Sequence, residues 1–219
     1  MKIALVYPPI PAITTSIAPP VGVAYLASIL LKKDAEVHVI SSDAEGLDTN
    51  GTITKVLNLS PDVLCLSIST PTVNNSVEII DRVKSLQSKV KIIVGGPHPT
   101  LFPEELLNKG ADYVVRGEGE NTLSELYDYL SGRITLDKIN GISYKKDNNF
   151  VHNPDRELIR DLEGIPFPSW ELFPIRQFKS DFRRKEFSLP VVSSRGCPAQ
   201  CTFCYKGIFG DAFRVRSPE

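Results

Sequence analysis

The sequence predicts an α/β protein: a doubly wound, parallel five-stranded sheet, then a hairpin and linker, then the opening of a second module. Three observations predict it. Short β-rich apolar runs alternate with segments of helical periodicity through residues 1–131. The run Val63-Leu-Cys-Leu-Ser-Ile68 is almost continuously apolar, as expected for a parallel strand covered on both faces. Toward the other end, Arg195-Gly-Cys-Pro-Ala-Gln-Cys-Thr-Phe-Cys204 gathers three cysteines into one short stretch.

The elements follow in order. Lys2–Tyr7 is a strand stopped by Pro8-Pro9, and a proline-spotted loop runs on to Pro20. Val21–Lys33 carries apolar residues at helical spacing, and Glu36–Ile40 is a second strand. Asn50–Leu59 is an amphipathic helix ended before Pro61, and Asp62–Ser67 is the third strand. Asn74–Leu86 places Val77, Ile80, Val83 and Leu86 on one helix face. Lys91–Val94 is the fourth strand, Pro103–Asn108 a short helix, Asp112–Val115 the fifth strand and Asn121–Leu130 a closing helix. Five βα units with short connections predict a flavodoxin-like strand order.

Gly141–His152 predicts a β-hairpin turning at Asp147–Asn149. The stretch after it is rich in proline and charge, with Trp170 as a packing anchor and Arg183-Arg-Lys185 as a solvated face beside Asp181 and Glu186. Leu189–Ser193 predicts the first strand of a β/α barrel, with the cysteines at its C-terminal end, where such barrels place their chemistry. Ser217-Pro218-Glu219 has the pattern of a helix start. The expected division is therefore residues 1–135 for the sheet domain, 136–188 for hairpin and linker, and 189–219 for an incomplete second module.

Composition narrows the partners. The 219 residues carry 25 basic and 26 acidic side chains, a formal charge of −1, which offers no nucleic-acid or membrane surface. No apolar stretch reaches the roughly 18 residues needed to span a bilayer. Four cysteines and no signal peptide predict a reducing, cytoplasmic compartment rather than a disulfide framework.

In a doubly wound sheet, ligands bind beyond the C-terminal strand ends. The loops there are Pro8–Pro20, Ser67–Pro71, Gly95-Gly-Pro-His-Pro-Thr100 and Arg116-Gly-Glu-Gly-Glu120. Their glycines permit close approach of a ligand to the backbone, but a simple turn from strand to helix accounts for them as well. No phosphate loop of the Gly-x₄-Gly-Lys-Ser/Thr type occurs.

Cys197, Cys201 and Cys204 form C-x₃-C-x₂-C. A structural zinc site is closed by four ligands, and neither Cys65 nor His38, His98 or His152 stands at a spacing that supplies the fourth. Three thiolates suit a four-iron cluster with one iron left open, and spacing alone leaves zinc as the alternative. The stretch, with Gly196, Pro198 and Phe203, resembles the cluster loop of the radical S-adenosylmethionine (SAM) superfamily. That resemblance implies a [4Fe–4S] cluster on the three cysteines, SAM chelated to the open iron, and Phe203 beside the adenine. It also implies reductive cleavage of SAM to a 5′-deoxyadenosyl radical, fed by an external donor such as flavodoxin or ferredoxin.

Pro19-Pro-Val-Gly-Val-Ala-Tyr-Leu-Ala27, the Gly95–Thr100 stretch and Val115-Arg-Gly-Glu-Gly-Glu120 resemble the cobalamin-binding domain that precedes the radical SAM domain in one large subfamily. The resemblance covers essentially the whole chain. It implies cobalamin over the strand ends, at Pro9, Ser69, Thr70, Gly95, Gly96, His98, Gly117, Glu118 and Gly119. The Asp-x-His-x-x-Gly motif that supplies histidine to cobalt is absent, so cobalt is expected to lack a histidine lower ligand. His98 more often serves as a hydrogen-bonding residue, and Glu118 and Glu120 as a loop brace and a helix N-terminal charge. For the complete enzyme, the resemblance implies methyl transfer to an unactivated carbon of a small-molecule or natural-product substrate. Ring formation or rearrangement is the alternative within the subfamily, and a non-catalytic cobalamin-binding fragment is the alternative outside it.

Overall fold

The computed structural model describes residues 1–11, 18–178 and 188–217. Its centre is a seven-stranded sheet of β1 (Lys2–Tyr7), β2 (Glu36–Ser41), β3 (Val63–Ser67), β4 (Lys91–Gly95), β5 (Tyr113–Val115), β6 (Ile142–Lys146) and β7 (Asn149–His152). The order is β2-β1-β3-β4-β5-β6-β7. The first five strands are parallel and have the predicted flavodoxin-like order, with the switch between β1 and β3.

The helices are α1 (Val21–Leu31), α2 (Thr49–Leu59), α3 (Val73–Leu86), α4 (Pro97–Leu101), α5 (Pro103–Asn108) and α6 (Gly119–Leu130). Alternating strand residues divide between them. Ile3, Leu5, Val63, Cys65 and Ile93 pack with Val23, Ala27 and Leu30 of α1 and Leu123 and Leu126 of α6. Ala4, Val6, Leu64, Leu66 and Ile92 pack with Ile53 and Val56 of α2, Ile79, Ile80 and Val83 of α3, and Leu106 of α5. Both sheet faces are thus apolar, which is why the strands lack polar alternation.

Helix ends follow local chemistry. Asp48 caps α2 by accepting from the Gly51 amide at 2.7 Å, and Ser60 ends it in a left-handed conformation just before Pro61. α4 was not expected from the sequence. It is a five-residue turn with proline at its start, too short to show a periodicity.

The hairpin also differs from expectation. It turns where predicted, with Asp147 and Asn148 both at positive φ, but it is not an isolated connector. β6 pairs antiparallel with β5 through Val114↔Ser143 and Val115↔Ile142, so the sheet continues well past residue 135. Two forces favour this. A lone two-stranded hairpin is marginal in water, and β5 would otherwise be an uncovered edge. Arg116 fixes the join, donating to Ser143 Oγ at 2.6 Å and to the Asn153 carbonyl at 2.5 Å.

The linker folds back onto the domain. Phe173 and Phe178 enter the core with α1 and α6, and Trp170 meets Phe173 edge-on at 5.5 Å, the anchoring expected of it. Leu162 and Ile165 pack on Tyr25. The expected strand at Leu189–Ser193 does not form; β8 (Ser194–Arg195) instead pairs antiparallel with β9 (Arg214–Val215). No parallel neighbour for Leu189–Ser193 exists among the described residues, so nothing holds it extended. Arg183-Arg-Lys185 with Asp181 and Glu186, and Pro218-Glu219 of the expected helix start, lie outside the described residues. Among the described residues no helix is long and apolar enough to cross a membrane.

α1 and α6 are also bridged by charge. Burial alone would raise the Asp128 pKa, but Lys33 at 2.6 Å and Arg133 at 3.0 Å outweigh it and hold the carboxyl below its usual value. A carboxylate depressed in the folded state stabilises above its unfolded pKa, and that contribution is lost as pH falls through the folded value. Asp128→Asn therefore lowers stability at neutral pH and flattens the decline below about pH 4. Urea unfolding of both chains across that range measures it.

Candidate cofactor cleft and cysteine loop

The C-terminal ends of β1, β3, β4 and β5 open into a cleft between the starts of α1 and α6, about 970 Å³ with its mouth included. Leu5, Cys65, Ile93 and Val115 form an apolar floor, and Gly22, Val23 and Leu26 of α1 form one wall. Gly117, Glu118, Gly119 and Glu120 form the facing wall. Arg195, Ile208 and Phe209, from the cysteine-bearing segment, form the roof. Burial pushes the Cys65 thiol up to about 12, so at neutral pH it is an uncharged part of the floor.

The glycines here do different work. Gly96 is demanded by the fold itself, with φ of +105° and a site for Cβ only 2.7 Å from the Ile68 carbonyl oxygen. Gly95 and Gly119 have ordinary or tight neighbours, Val115 at 3.5 Å and Leu26 at 3.3 Å. At Gly22 and Gly117 a Cβ would meet nothing within 4 Å; Gly117 has φ of +70°, which itself favours glycine, whereas Gly22 has no such demand and keeps the cleft wide. Gly22 escaped the sequence reading. Its signs are its place in the Pro19–Ala27 stretch and a glycine in the first turn of an otherwise apolar helix, where it costs about 1 kcal/mol against alanine.

The expected cofactor residues separate into two groups. Gly95, Gly96, Gly117, Glu118 and Gly119 line the cleft. Pro9, Ser69, Thr70 and His98 are outside its lining, although they too follow strands β1, β3 and β4. The Pro9 carbonyl accepts from Asn75, and Ser69 closes a tight turn with Thr72. His98 is buried, with Nδ1 on Thr70 Oγ1 at 3.2 Å and Nε2 on Glu105 at 3.3 Å. Both ring nitrogens are engaged within the protein.

Cys197, Cys201 and Cys204 are all exposed thiols on one loop, and Phe203 is 91 % exposed beside them. The loop turns at Gly196, where φ is +80° and any Cβ would collide with the Ala212 carbonyl. The Cys197 amide donates to Gly210 at 3.2 Å and the Cys204 amide to Cys201 at 3.1 Å. Among the described residues no three His, Cys, Asp or Glu side chains stand close enough together to hold a metal ion. Three accessible thiols on a glycine-hinged loop nevertheless have the donor chemistry of a three-cysteine cluster site. Such ligands gather as the metal binds.

A buried ionic network ties this loop to the cleft. Glu118 accepts from Arg195 at 2.9 Å, Arg214 at 2.9 Å and the Ile159 amide at 2.7 Å. Glu120, in the first turn of α6, accepts from Arg195 at 2.5 Å. Burial alone would lower the Arg195 pKa, but Glu120 and Glu118 outweigh it and raise it. Tyr25 and Phe209 each place a ring 5.5 Å from the Arg195 guanidinium. Glu118 therefore meets the cleft as a brace, with both carboxylate oxygens occupied.

A flavodoxin-like sheet with an apolar cleft at its strand ends defines a ligand-binding α/β domain. Residues 12–127, more than half of the chain, match the family model described as the B12 binding domain, and the chain belongs to that family. Over its whole length it is 35 % identical to an uncharacterized methyltransferase of Pyrococcus horikoshii, covering 48 % of that protein. Over 92 % of its length it is 30 % identical to the anaerobic magnesium-protoporphyrin IX monomethyl ester cyclase of Rubrivivax gelatinosus, covering 37 % of it. The chain thus spans half or less of these relatives. Among solved structures it superposes on the cobalamin-dependent SAM radical enzyme OxsB, determined with aqua-cobalamin and SAM bound. The TM-score is 0.82 at 28 % identity, over 99 % of this chain and 30 % of OxsB.

Glu118→Ala leaves Arg214 buried without a carboxylate and Arg195 with Glu120 alone, and is expected to cost about 3–5 kcal/mol. Gly96→Ala is expected to cost about 1–3 kcal/mol from backbone strain alone, before the clash with Ile68. Urea unfolding followed by circular dichroism checks both.

Proposed function

We propose that the chain is the N-terminal part of a cobalamin-dependent radical SAM enzyme that transfers a methyl group to an unactivated carbon of a small-molecule substrate. The observation that carries this reading is the roof of the cleft: the segment bearing the three cysteines closes the cleft of a B12-binding domain. The segment that carries the cysteines and the cleft thus share one boundary, which supports a role for both in one enzyme.

When bound, the cluster, SAM and cobalamin supply the hard chemistry, which is reductive cleavage of SAM to a 5′-deoxyadenosyl radical and delivery of the methyl group. The protein's residues bind, orient and shield. Cys197, Cys201 and Cys204 hold three irons and leave one for SAM. Phe203, unburied in this chain, offers its ring to the adenine. Leu5, Cys65, Ile93 and Val115 would offer an apolar floor to cobalamin, and Gly22 and Gly117, on the cleft walls, would leave it room. With both His98 nitrogens engaged by Thr70 and Glu105, His98 would not be the residue that holds cobalt. An external donor such as flavodoxin or ferredoxin supplies the electron from a cytoplasmic pool.

Methyl transfer is preferred because the relative at 35 % identity is named as a methyltransferase. Ring formation is the second reading, favoured by the cyclase relatives.

Two measurements test the proposal. Anaerobic reconstitution with iron and sulfide is expected to load about four irons per chain, with loss in Cys197→Ala. Hydroxocobalamin is expected to bind the purified chain, and Gly22→Phe, which fills the wall of the cleft, to weaken binding about ten-fold or more. A chain that takes up no cobalamin would remove the methyl-transfer reading.

A further inference from the structure

The cysteine loop is held at both ends by one carboxylate. Arg195, just ahead of Cys197, and Arg214, ten residues beyond Cys204, face each other across the β8–β9 pair. Both donate to Glu118, at 2.9 Å each. Arg214 also donates to the carbonyls of Ile159 at 2.6 Å and Phe209 at 2.8 Å, and Arg195 also reaches Glu120. The side chains of all four charged residues are at most 8 % exposed. Two carboxylates face two guanidiniums, so the charge of the network closes on itself.

The network lies in the cleft's own boundary. Glu118, Glu120, Arg195 and Phe209 line the cleft, whereas Arg214 stands behind them and touches it only through Glu118 and the Phe209 carbonyl. A molecule filling the cleft therefore packs against Arg195, one pinned end of the cysteine loop, and against Phe209 within it.

We infer that Glu118 and Glu120, acting through Arg195 and Arg214, are positioning residues that lock the cysteine loop over the cleft and couple its order to cleft occupancy. The coupling half of this inference rests on cobalamin being the occupant. The clamp itself does not.

Hydrogen exchange of the intact chain tests it, with peptides covering residues 194–216. There the Cys197 amide bonds to Gly210, the Gly210 amide to Lys206 and the Arg216 amide to Ser193. Arg214→Met releases the far end of the loop, leaving Arg195 on Glu118 and Glu120 and the lining of the cleft unaltered. Arg214→Lys keeps a cation for Glu118 but cannot also span to Ile159 and Phe209. Arg156→Met, which removes an ion pair to Glu125 elsewhere on α6, is the control.

Without cofactor, Arg214→Met is expected to speed exchange across 194–216 by about ten-fold or more while peptides of β1, β3 and β4 hold their rates. Arg214→Lys should fall between it and the unaltered chain, and Arg156→Met should match the unaltered chain. With hydroxocobalamin added, exchange in 194–216 is expected to slow further in the unaltered chain and not in Arg214→Met, although both bind it. Unchanged exchange in Arg214→Met, or an equal acceleration in every strand, overturns the clamp. An equal cobalamin response in both chains overturns the coupling. If the unaltered chain binds no hydroxocobalamin, the cobalamin reading and the coupling both fail, and the cofactor-free comparison still decides the clamp.

Discussion

Everything in this molecule follows from a parallel sheet covered on both faces. With α1 and α6 on one side and α2, α3 and α5 on the other, almost every side chain of β1, β3 and β4 is committed to a core. Away from the strand ends the helices cover both faces, and past β5 the sheet is continued by the hairpin. What remains is the row of C-terminal strand ends, where the chain changes direction at the switch point and α1 and α6 diverge. The cleft is a direct result of that exclusion, and so is its character. Its floor is the last layer of core residues, apolar and dry, and its polar groups come from loops and helix starts.

Much of this was legible in the sequence, and the unevenness has a physical cause. The five parallel strands could be read because burial on both faces leaves continuous apolar runs, and the longer helices because α2, α3 and α6 are amphipathic. The turn of the hairpin was visible in Asp147 and Asn148. Its docking onto β5 was not, because backbone pairing between strands leaves little trace in side-chain identity. The strand expected at Leu189–Ser193 had the right residue types but no neighbour to pair with among the described residues. β propensity expresses itself only against a partner.

The site shows the same limit. The glycine-rich loops and the three cysteines stand out locally, and Gly95, Gly96, Gly117 and Gly119 do line the cleft. Pro9, Ser69, Thr70 and His98 were read with them because they follow the same strand ends, yet they face a different set of neighbours. Glu118 was recognisable as a brace from its place before a helix, but its two guanidinium partners lie 77 and 96 residues away in sequence. No local pattern announces such a contact. Removing it is expensive for the same reason that forming it requires a full set of partners: the interior offers a bare charge nothing in exchange for water.

Fixing both ends of residues 196–213 at one carboxylate has a consequence for how this region can vary. The chain between the two arginines is a closed circuit, and the rest of the domain sees only where the circuit is anchored. Lengthening such a circuit adds only about 0.6 kcal/mol of closure entropy per doubling. Insertions between the two arginines are therefore thermodynamically cheap for the sheet. The anchor points have no such latitude. Diversity in this part of the molecule is expected to collect between Arg195 and Arg214, and restraint at the two arginines themselves.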